Sequence, residues 1–208
     1  MTRRLYDVIV VGAGMAGTSV AAELSKRYSV VLVERESHPA MHATGRSAAT
    51  YIPSYRAENP ALRLLTRASG AFLKSPPAGF AKNALLKPRG LMTLLRGMGG
   101  VSWTQELANL NSLLEYPITM LPASDVRSRL PELSAEWLSD AWWEADVHDI
   151  DVHGLHQGYL KVFRENGGRM VLAEHACPRF ENDAWQISVA DEYLEAPVVV
   201  NAAGAWAD

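Results

Sequence analysis

Three glycines spaced Gly-x-Gly-x-x-Gly stand near the start of the chain, directly after an apolar run. They are Gly12, Gly14 and Gly17, and residues 5–11 before them are rich in valine and isoleucine, as expected of a β-strand. Gly12 permits a tight turn out of the strand, Gly14 has no side chain to block a phosphate, and Gly17 allows close packing of helix on strand. The spacing therefore predicts a dinucleotide-binding turn.

The chain after the glycines favours a helix over residues 18–26, which places Met15 and Ala16 at its N-terminus. Unpaired backbone N–H groups and the helix dipole attract anions at such a position. We therefore expect Met15 and Ala16 to contribute backbone to a pyrophosphate site.

An acidic residue ends the next apolar strand. Residues 28–33 lead into Glu34, roughly 20 residues past the glycines, where a carboxylate binds the ribose hydroxyls of a dinucleotide. The acid disfavours a 2′-phosphate, so FAD or NAD is preferred to NADP. A glycine-rich turn without a ligand is the alternative, and the agreement of strand, glycines, helix and acid disfavours it.

A second small-residue segment follows Glu34. Thr44 is placed to cap a short helix over residues 47–49, and Gly45 interrupts the chain before it. Such a helix N-terminus carrying Arg46 would approach a second part of the same anionic cofactor.

Composition restricts the class of protein. The chain has 208 residues, 48% of them hydrophobic, with a net charge of −3, which argues against a nucleic-acid partner. Its one cysteine, Cys177, excludes an internal disulfide, suits a reducing compartment and is expected to be buried. No stretch reaches the ~20 apolar residues of a membrane span. We expect a cytoplasmic protein.

The middle of the chain differs from its ends. The pattern predicts helices over 59–74, 104–114 and 125–130, the last with Ser124 as N-cap, and strands around a turn at 87–90. Trp142 and Trp143 are expected on a strand, as core residues. We expect an incomplete α+β substrate domain over 84–143, inserted into a cofactor domain formed by 1–83 and 144–208.

One stretch is dense in metal-ligand types. It contains Asp146, His148, Asp149, Asp151, His153 and His156. The spacing follows no established zinc pattern, and Asp151 fits as the N-cap of a helix ending near Glu165, before Gly167 and Gly168. We therefore expect no metal site.

Three stretches resemble the D-amino acid oxidase-like FAD-dependent oxidoreductases, with bacterial D-arginine dehydrogenases as the nearest likeness. These are Glu34-Arg35 with Thr44-Gly45-Arg46-Ser47-Ala48-Ala49, residues 149–160, and residues 199–208. The resemblance implies an α/β protein with a Rossmann-like FAD-binding domain of the glutathione reductase type. FAD is the implied cofactor.

The resemblance also implies site residues in the second half of the chain. Ala176 follows the strand expected over 169–173 and would meet adenine through its backbone. Ala203 and Gly204 follow the strand expected over 197–201 and would let backbone lie against the cofactor. Trp206 either walls the site or packs beside the turn. Tyr55 would cover the substrate.

The implied reaction is oxidative deamination of a D-amino acid or related amine, with hydride passing from Cα to flavin N5. Thr50 and Leu91 stand where the D-arginine dehydrogenases carry a histidine and a cation-recognising acid, so apolar or small D-amino acids are expected. Members of the family continue past the last motif, so we expect a fragment, a truncation or a split enzyme whose partner chain supplies the rest. Two alternatives stay open: a FAD-binding module inactive alone, and an NAD-dependent dehydrogenase.

Overall fold

The computed structural model describes residues 2–96, 103–189 and 192–207. Its α-helices are α1 (Met15–Leu24), α2 (Pro60–Lys74), α3 (Trp103–Asn111), α4 (Ala123–Arg129) and α5 (Val152–Glu165). Its strands are β1 (Thr2–Leu5), β2 (Val8–Val11), β3 (Val30–Val33), β4 (Thr50–Tyr51), β5 (Leu86–Pro88), β6 (Leu91–Leu94), β7 (Thr119–Leu121), β8 (Ala141–Glu144), β9 (His148–Ile150), β10 (Arg169–Val171), β11 (Arg179–Glu181), β12 (Ala184–Val189), β13 (Glu192–Ala196) and β14 (Val198–Asn201).

The contacts divide the chain into two compact units. The first comprises Met1–Ser47, Ala78–Asn83 and Val152–Asp208, and the second Ala48–Pro77 and Ala84–Asp151. Residues 48–77 and 144–151, expected within the cofactor domain, group instead with 84–143. Strands β4 and β5 both pair with β9, which joins these stretches. The assignment of cofactor and substrate domains to these stretches stays a prediction.

The first unit is built on a parallel sheet of order β10-β3-β2-β14. Strand β2 pairs with β3 and with β14 in parallel register, Val10 lying opposite Leu32 and Val200. The central strands are nearly continuous runs of buried aliphatic residues, as a parallel sheet covered on both faces requires.

Both faces of this sheet are covered. On one face, α1 and α5 pack through Ala21, Leu160 and Phe163 against Val10 and Leu32. On the other face, a second sheet of order β1-β13-β12-β11 contributes apolar residues to a separate core. Burial on two faces explains why alternation of polar and apolar residues is absent from β2 and β3.

The second unit contains two small antiparallel sheets, β4-β9-β5 and β6-β8-β7. A core around Leu121, Val126 and Ala141 joins β7, α4 and β8, and Trp143 packs against it. The placement of Trp142 and Trp143 on a strand is thereby confirmed. The chain as a whole is of the α/β class.

Most element predictions agree with the structure. The helix predicted over 59–74 is α2, with Asn59 Oδ1 accepting from the N–H groups of Ala61 and Leu62. Helix α5 begins directly after Asp151 and ends at Glu165, where the Gly168 N–H donates to the Phe163 carbonyl at 2.9 Å. The strands predicted near 169–173 and 197–201 are β10 and β14.

Three element predictions were wrong in detail. Helix α4 begins at Ala123, directly after Pro122. Ser124 therefore lies inside the helix and is not its N-cap. Lys87 and Pro88 belong to β5, an edge strand where proline is tolerated, and the turn falls at Gly90, whose φ is 75°. The predicted helix over 47–49 does not form; these residues are irregular.

No helix among the described residues is both long enough and apolar enough to cross a membrane.

The contact between α1 and the glycine-rich turn should be sensitive to one added methyl group. A Cβ at Gly17 would lie 1.7 Å from the Gly12 carbonyl oxygen, so Gly17→Ala should lower the free energy of unfolding by about 3 kcal/mol. Gly167→Ala is the matched control: φ is 80° there but nothing lies within 4 Å, so about 1 kcal/mol of backbone strain is expected. Urea unfolding of the two variants measures both costs, and equal costs would contradict the packing argument.

Candidate functional site

A cavity of about 750 Å³ lies in the first unit, at the carboxyl ends of β2, β3 and β14. In open parallel sheets this edge is where ligands bind. Eleven of the predicted cofactor residues line it: Gly12, Gly14, Met15, Ala16, Glu34, Arg35, Thr44, Ala176, Ala203, Gly204 and Trp206.

The glycine-rich turn shapes one wall of the cavity. Gly12 has a φ of 99°, and a Cβ there would lie 2.5 Å from the Ala202 carbonyl oxygen. At Gly14 an added Cβ would meet only Thr44 Oγ1, at 3.3 Å. Gly12 is therefore required by the backbone, whereas the absence of a side chain at Gly14 leaves open space at the cavity wall.

Side chains from elsewhere in the chain hold the N–H groups of this turn. Glu34 Oε2 accepts from the Ala13 N–H at 2.7 Å, and Thr44 Oγ1 accepts from the Met15 N–H at 2.9 Å. The other Glu34 oxygen accepts from the Glu36 N–H at 3.0 Å. These two N–H groups are thus paired within the protein, and Glu34 places its carboxylate at the end of β3 beside the turn.

Thr44 has a role that differs from the predicted one. Residues 39–46 form consecutive turns, and Thr44 caps α1 instead of a helix of its own. Gly45 packs tightly in this segment, because a Cβ there would lie 2.2 Å from the Ala40 carbonyl oxygen. Capping the first helix satisfies a donor that the glycine-rich turn cannot satisfy itself.

Trp206 lies at the cavity in an aromatic and charged cluster. The Arg35 guanidinium lies 4.2 Å from its ring centroid, and the His42 ring lies 4.4 Å away at a tilt of 51°. His42 Nε2 is 2.8 Å from Glu36 Oε1, and this hydrogen bond, with one from Arg35, lowers the pKa of Glu36. Trp206 thus lines the cavity, and the choice between its two predicted roles stays a prediction.

Another part of the cavity lining comes from residues 174–178, in the segment after β10. Ala176 lies there beside His175 and Cys177. The expectation of a buried Cys177 was wrong: the thiol is exposed, with Sγ 3.3 Å from His175 Nδ1. Pro178 directly after it leads into β11, the outermost strand of its sheet, so no core surrounds the thiol.

Several predicted residues lie outside the cavity lining. Gly17 and Gly45 act in packing, and Arg46, Ser47 and Ala48 are exposed. The Ala49 carbonyl accepts from the Ile150 N–H at 2.9 Å within the second unit. Tyr55 also belongs to that unit, with 60% of its surface exposed. The roles of all seven in binding stay predictions.

The sequence did not reveal the role of His156. It is buried on α5, and its Nε2 lies 3.0 Å from the Ala13 carbonyl oxygen in the glycine-rich turn. A carbonyl only accepts, so Nε2 carries the proton. Burial lowers the pKa of His156 and keeps the ring neutral. No motif signals this contact, because it joins residues 143 positions apart.

Acidic residues singled out as possible metal ligands between positions 146 and 156 form ion pairs with other residues instead. Asp146 pairs with Lys74 at 3.1 Å, and Asp149 with Arg89 at 3.0 Å. Over residues 2–96, 103–189 and 192–207, no three histidine, cysteine or acidic side chains are grouped so that they could hold a metal ion.

Comparison with protein families gives one match that covers nearly the whole chain. The family described as FAD dependent oxidoreductase matches residues 7–208. Among curated proteins, the tRNA 5-methylaminomethyl-2-thiouridine biosynthesis bifunctional protein MnmC of Acidovorax sp. (strain JS42) is 39% identical over 61 residues, which are 29% of this chain and 10% of that protein.

Solved structures show the same fold at low identity. Glycine oxidase from Geobacillus kaustophilus is 20% identical with a TM-score of 0.77, over 100% of this chain and 57% of that one. L-proline dehydrogenase from P. horikoshii is 20% identical with a TM-score of 0.76, over 100% and 55%. L-amino acid deaminase from Proteus vulgaris is 21% identical with a TM-score of 0.75, over 98% and 48%. The chain thus spans about half the length of these proteins.

Protonation of His156 should destabilise the fold. Its pKa is lowered in the folded state and lies near ~6.5 when unfolded, so the unfolded chain binds the proton more readily. Stability should therefore fall as the pH drops below about 6.5. His156→Gln keeps a side-chain N–H donor but does not titrate, so urea unfolding between neutral and mildly acidic pH should show a weaker pH dependence. The exposed His38→Gln, in the same unit, is the control, and an unchanged slope in His156→Gln would refute the assignment.

Proposed function

The chain belongs to the FAD dependent oxidoreductase family, matched over residues 7–208, and on that premise we propose that it binds FAD and serves the oxidative deamination of apolar or small D-amino acids. The cofactor half of this proposal rests on the cavity in the first unit. The substrate half rests on the motif resemblance and on residues of the second unit.

One observation carries the cofactor assignment: the Glu34 carboxylate lines the cavity at the end of β3. Its Oε2 accepts a hydrogen bond from the Ala13 N–H of the glycine-rich turn at 2.7 Å. A carboxylate at the end of β3 suits ribose hydroxyls, and the N–H groups at the start of α1 suit a pyrophosphate. The open space beside Gly14 fits the approach of that pyrophosphate. These groups fit the AMP half of FAD.

The remaining lining residues suit the same ligand. Ala176, Ala203 and Gly204 bring small side chains and backbone to the cavity, and Trp206 offers an aromatic wall backed by Arg35. When bound, FAD supplies the hydride acceptor; loss of hydride from Cα leaves an imine that water converts to a 2-oxo acid and ammonia. The chain's own residues bind and orient the cofactor.

The side chain at position 91 supports a preference for uncharged substrates. Leu91 is half-buried on β6, in a register that places it opposite Glu144 of β8. Both carboxylate oxygens of Glu144 accept hydrogen bonds from Ser54. The preference itself rests on Leu91, because a leucine side chain offers no charge to a cationic substrate.

An absorption spectrum tests the cofactor directly. We expect the purified chain, or the chain reconstituted with FAD, to show flavin bands in the blue region of the visible spectrum. Binding of NAD with no flavin bands would support the dehydrogenase alternative instead. The Thr44–Ala49 and Asn201–Trp206 segments make that alternative less favoured, since an NAD site alone does not need them.

Glu34 should contribute strongly to FAD affinity. Glu34→Ala removes a charged acceptor for the ribose hydroxyls and should weaken FAD binding about tenfold or more. Glu23→Ala removes an exposed carboxylate on α1 that pairs with Lys26 at 2.6 Å and lies outside the cavity lining, so it should leave the affinity unchanged. Fluorescence titration with FAD compares the two, and equal affinities would contradict the proposed ribose contact.

Substrate preference is tested by steady-state kinetics on the active enzyme. We expect kcat/KM to be higher for small or apolar D-amino acids than for D-arginine or D-lysine, because Leu91 offers no charge to a cationic side chain. D-arginine or D-lysine as the best substrate would overturn this preference.

A second candidate is a FAD-binding module that is inactive alone. The chain's coverage of only 48% to 57% of the three solved structures favours it. This candidate predicts a yellow chain that oxidises amino acids only after a second polypeptide is added. Turnover by the purified chain alone would exclude it.

A further inference from the structure

Glu144 is a buried carboxylate that the cofactor site does not use. It ends β8 in the second unit and is only 5% exposed. Burial raises its pKa, and the charge of Asp146 acts in the same direction. A charged group is costly to bury unless hydrogen bonds compensate it, so its partners show what it does.

Both partners of this carboxylate belong to Ser54. The Ser54 N–H donates to Glu144 Oε1 at 3.0 Å, and the Ser54 hydroxyl donates to Oε2 at 2.5 Å. These bonds lower the pKa of Glu144 and partly offset burial. Two hydrogen bonds to one carboxylate fix position as well as orientation. They join residues 90 positions apart in the chain.

Ser54 lies in the segment 52–59, which carries Tyr55. Three backbone hydrogen bonds within this segment are local: Tyr55 to Ile52 at 3.1 Å, Ala57 to Ser54 at 3.1 Å, and Asn59 to Arg56 at 2.9 Å. Local turn bonds shape a segment but do not attach it to a sheet. The Glu144 contact supplies such an attachment, immediately before Tyr55.

The same carboxylate neighbours the other residue assigned to the substrate. Leu91 and Glu144 are directly opposite in the antiparallel pair β6–β8, so their side chains share one face of the sheet. Leu91 thus lies opposite Glu144, and Tyr55 directly follows Ser54, to which Glu144 is bonded. This convergence lies wholly within the second unit.

Building on the proposed function, we propose that Glu144 is a positioning residue. Through its hydrogen bonds to Ser54 it attaches the Tyr55 segment to the sheet β6-β8-β7, on the face that carries Leu91. It thereby shapes the part of the second unit that would contact the substrate. Its partner groups distinguish it from the neighbouring acid. Asp146 pairs with Lys74 on α2, near Tyr51, Tyr116 and His148, whereas Glu144 bonds the segment itself.

Hydrogen–deuterium exchange of the full chain tests the attachment without requiring turnover. Glu144→Gln removes the charge but keeps the shape, and Ser54→Ala removes the hydroxyl donor. In both, the peptide covering 52–59 should exchange about tenfold faster, while peptides from β2 and β3 stay protected.

Two further variants serve as controls. Ser54→Thr keeps a hydroxyl and should restore protection. Ser128→Ala, a loss of an exposed serine on α4, is the control and should change nothing in 52–59.

Unchanged exchange of 52–59 in both variants would overturn the proposal. Faster exchange spread over β2 and β3 as well would also overturn it, since that result shows a general loss of stability. If the wild-type chain fails to bind FAD, the proposed function fails, but the exchange experiment still decides the role of Glu144.

Kinetics on the active enzyme test the consequence for substrate. Glu144→Gln should raise KM for the amino acid about tenfold with little change in FAD affinity, because the substrate side is affected and the cofactor cavity is not. An unchanged KM despite faster exchange of 52–59 would refute the link to substrate.

Discussion

The cavity in the first unit depends on how the backbone N–H groups of the glycine-rich turn and of the start of α1 are held. No residue in the first turn of that helix can satisfy these donors from within it, so the chain supplies oxygen atoms from elsewhere. Glu34 takes the Ala13 N–H and Thr44 takes the Met15 N–H. The helix can start so close to the strand only because Gly17 leaves room for the Gly12 carbonyl. The orientation of these donors and the close packing of α1 on the turn are thus two results of one arrangement.

His156 links the glycine-rich turn to the neighbouring helix α5. Its ring meets the carbonyl of Ala13, while the N–H of the same residue meets Glu34. The backbone at Ala13 is therefore held by its donor and by its acceptor. A neutral imidazole suits the buried position, and its lowered pKa follows from that burial. The turn that faces the ligand is in this way built into the core of the first unit.

The sequence predicted features whose cause is local. Strand β3, the glycine-rich turn, helices α2 and α5, and the acid at Glu34 follow from periodicity, capping and spacing. It failed where a residue acts on a distant partner. Thr44 was assigned to a helix of its own because its cap target, Met15, is 29 positions away. The contact of His156 with Ala13 and the exposure of Cys177 could not be predicted, because only the tertiary structure shows the neighbours of these residues.

We propose that the cavity in the first unit holds the AMP half of FAD. Calorimetric titration with FAD, ADP and FMN tests this assignment, because ADP shares that half and FMN lacks it. FAD should bind, ADP should compete with it, and FMN should not bind measurably. Binding of FMN as tight as that of FAD, or a failure of ADP to compete, would contradict the claim.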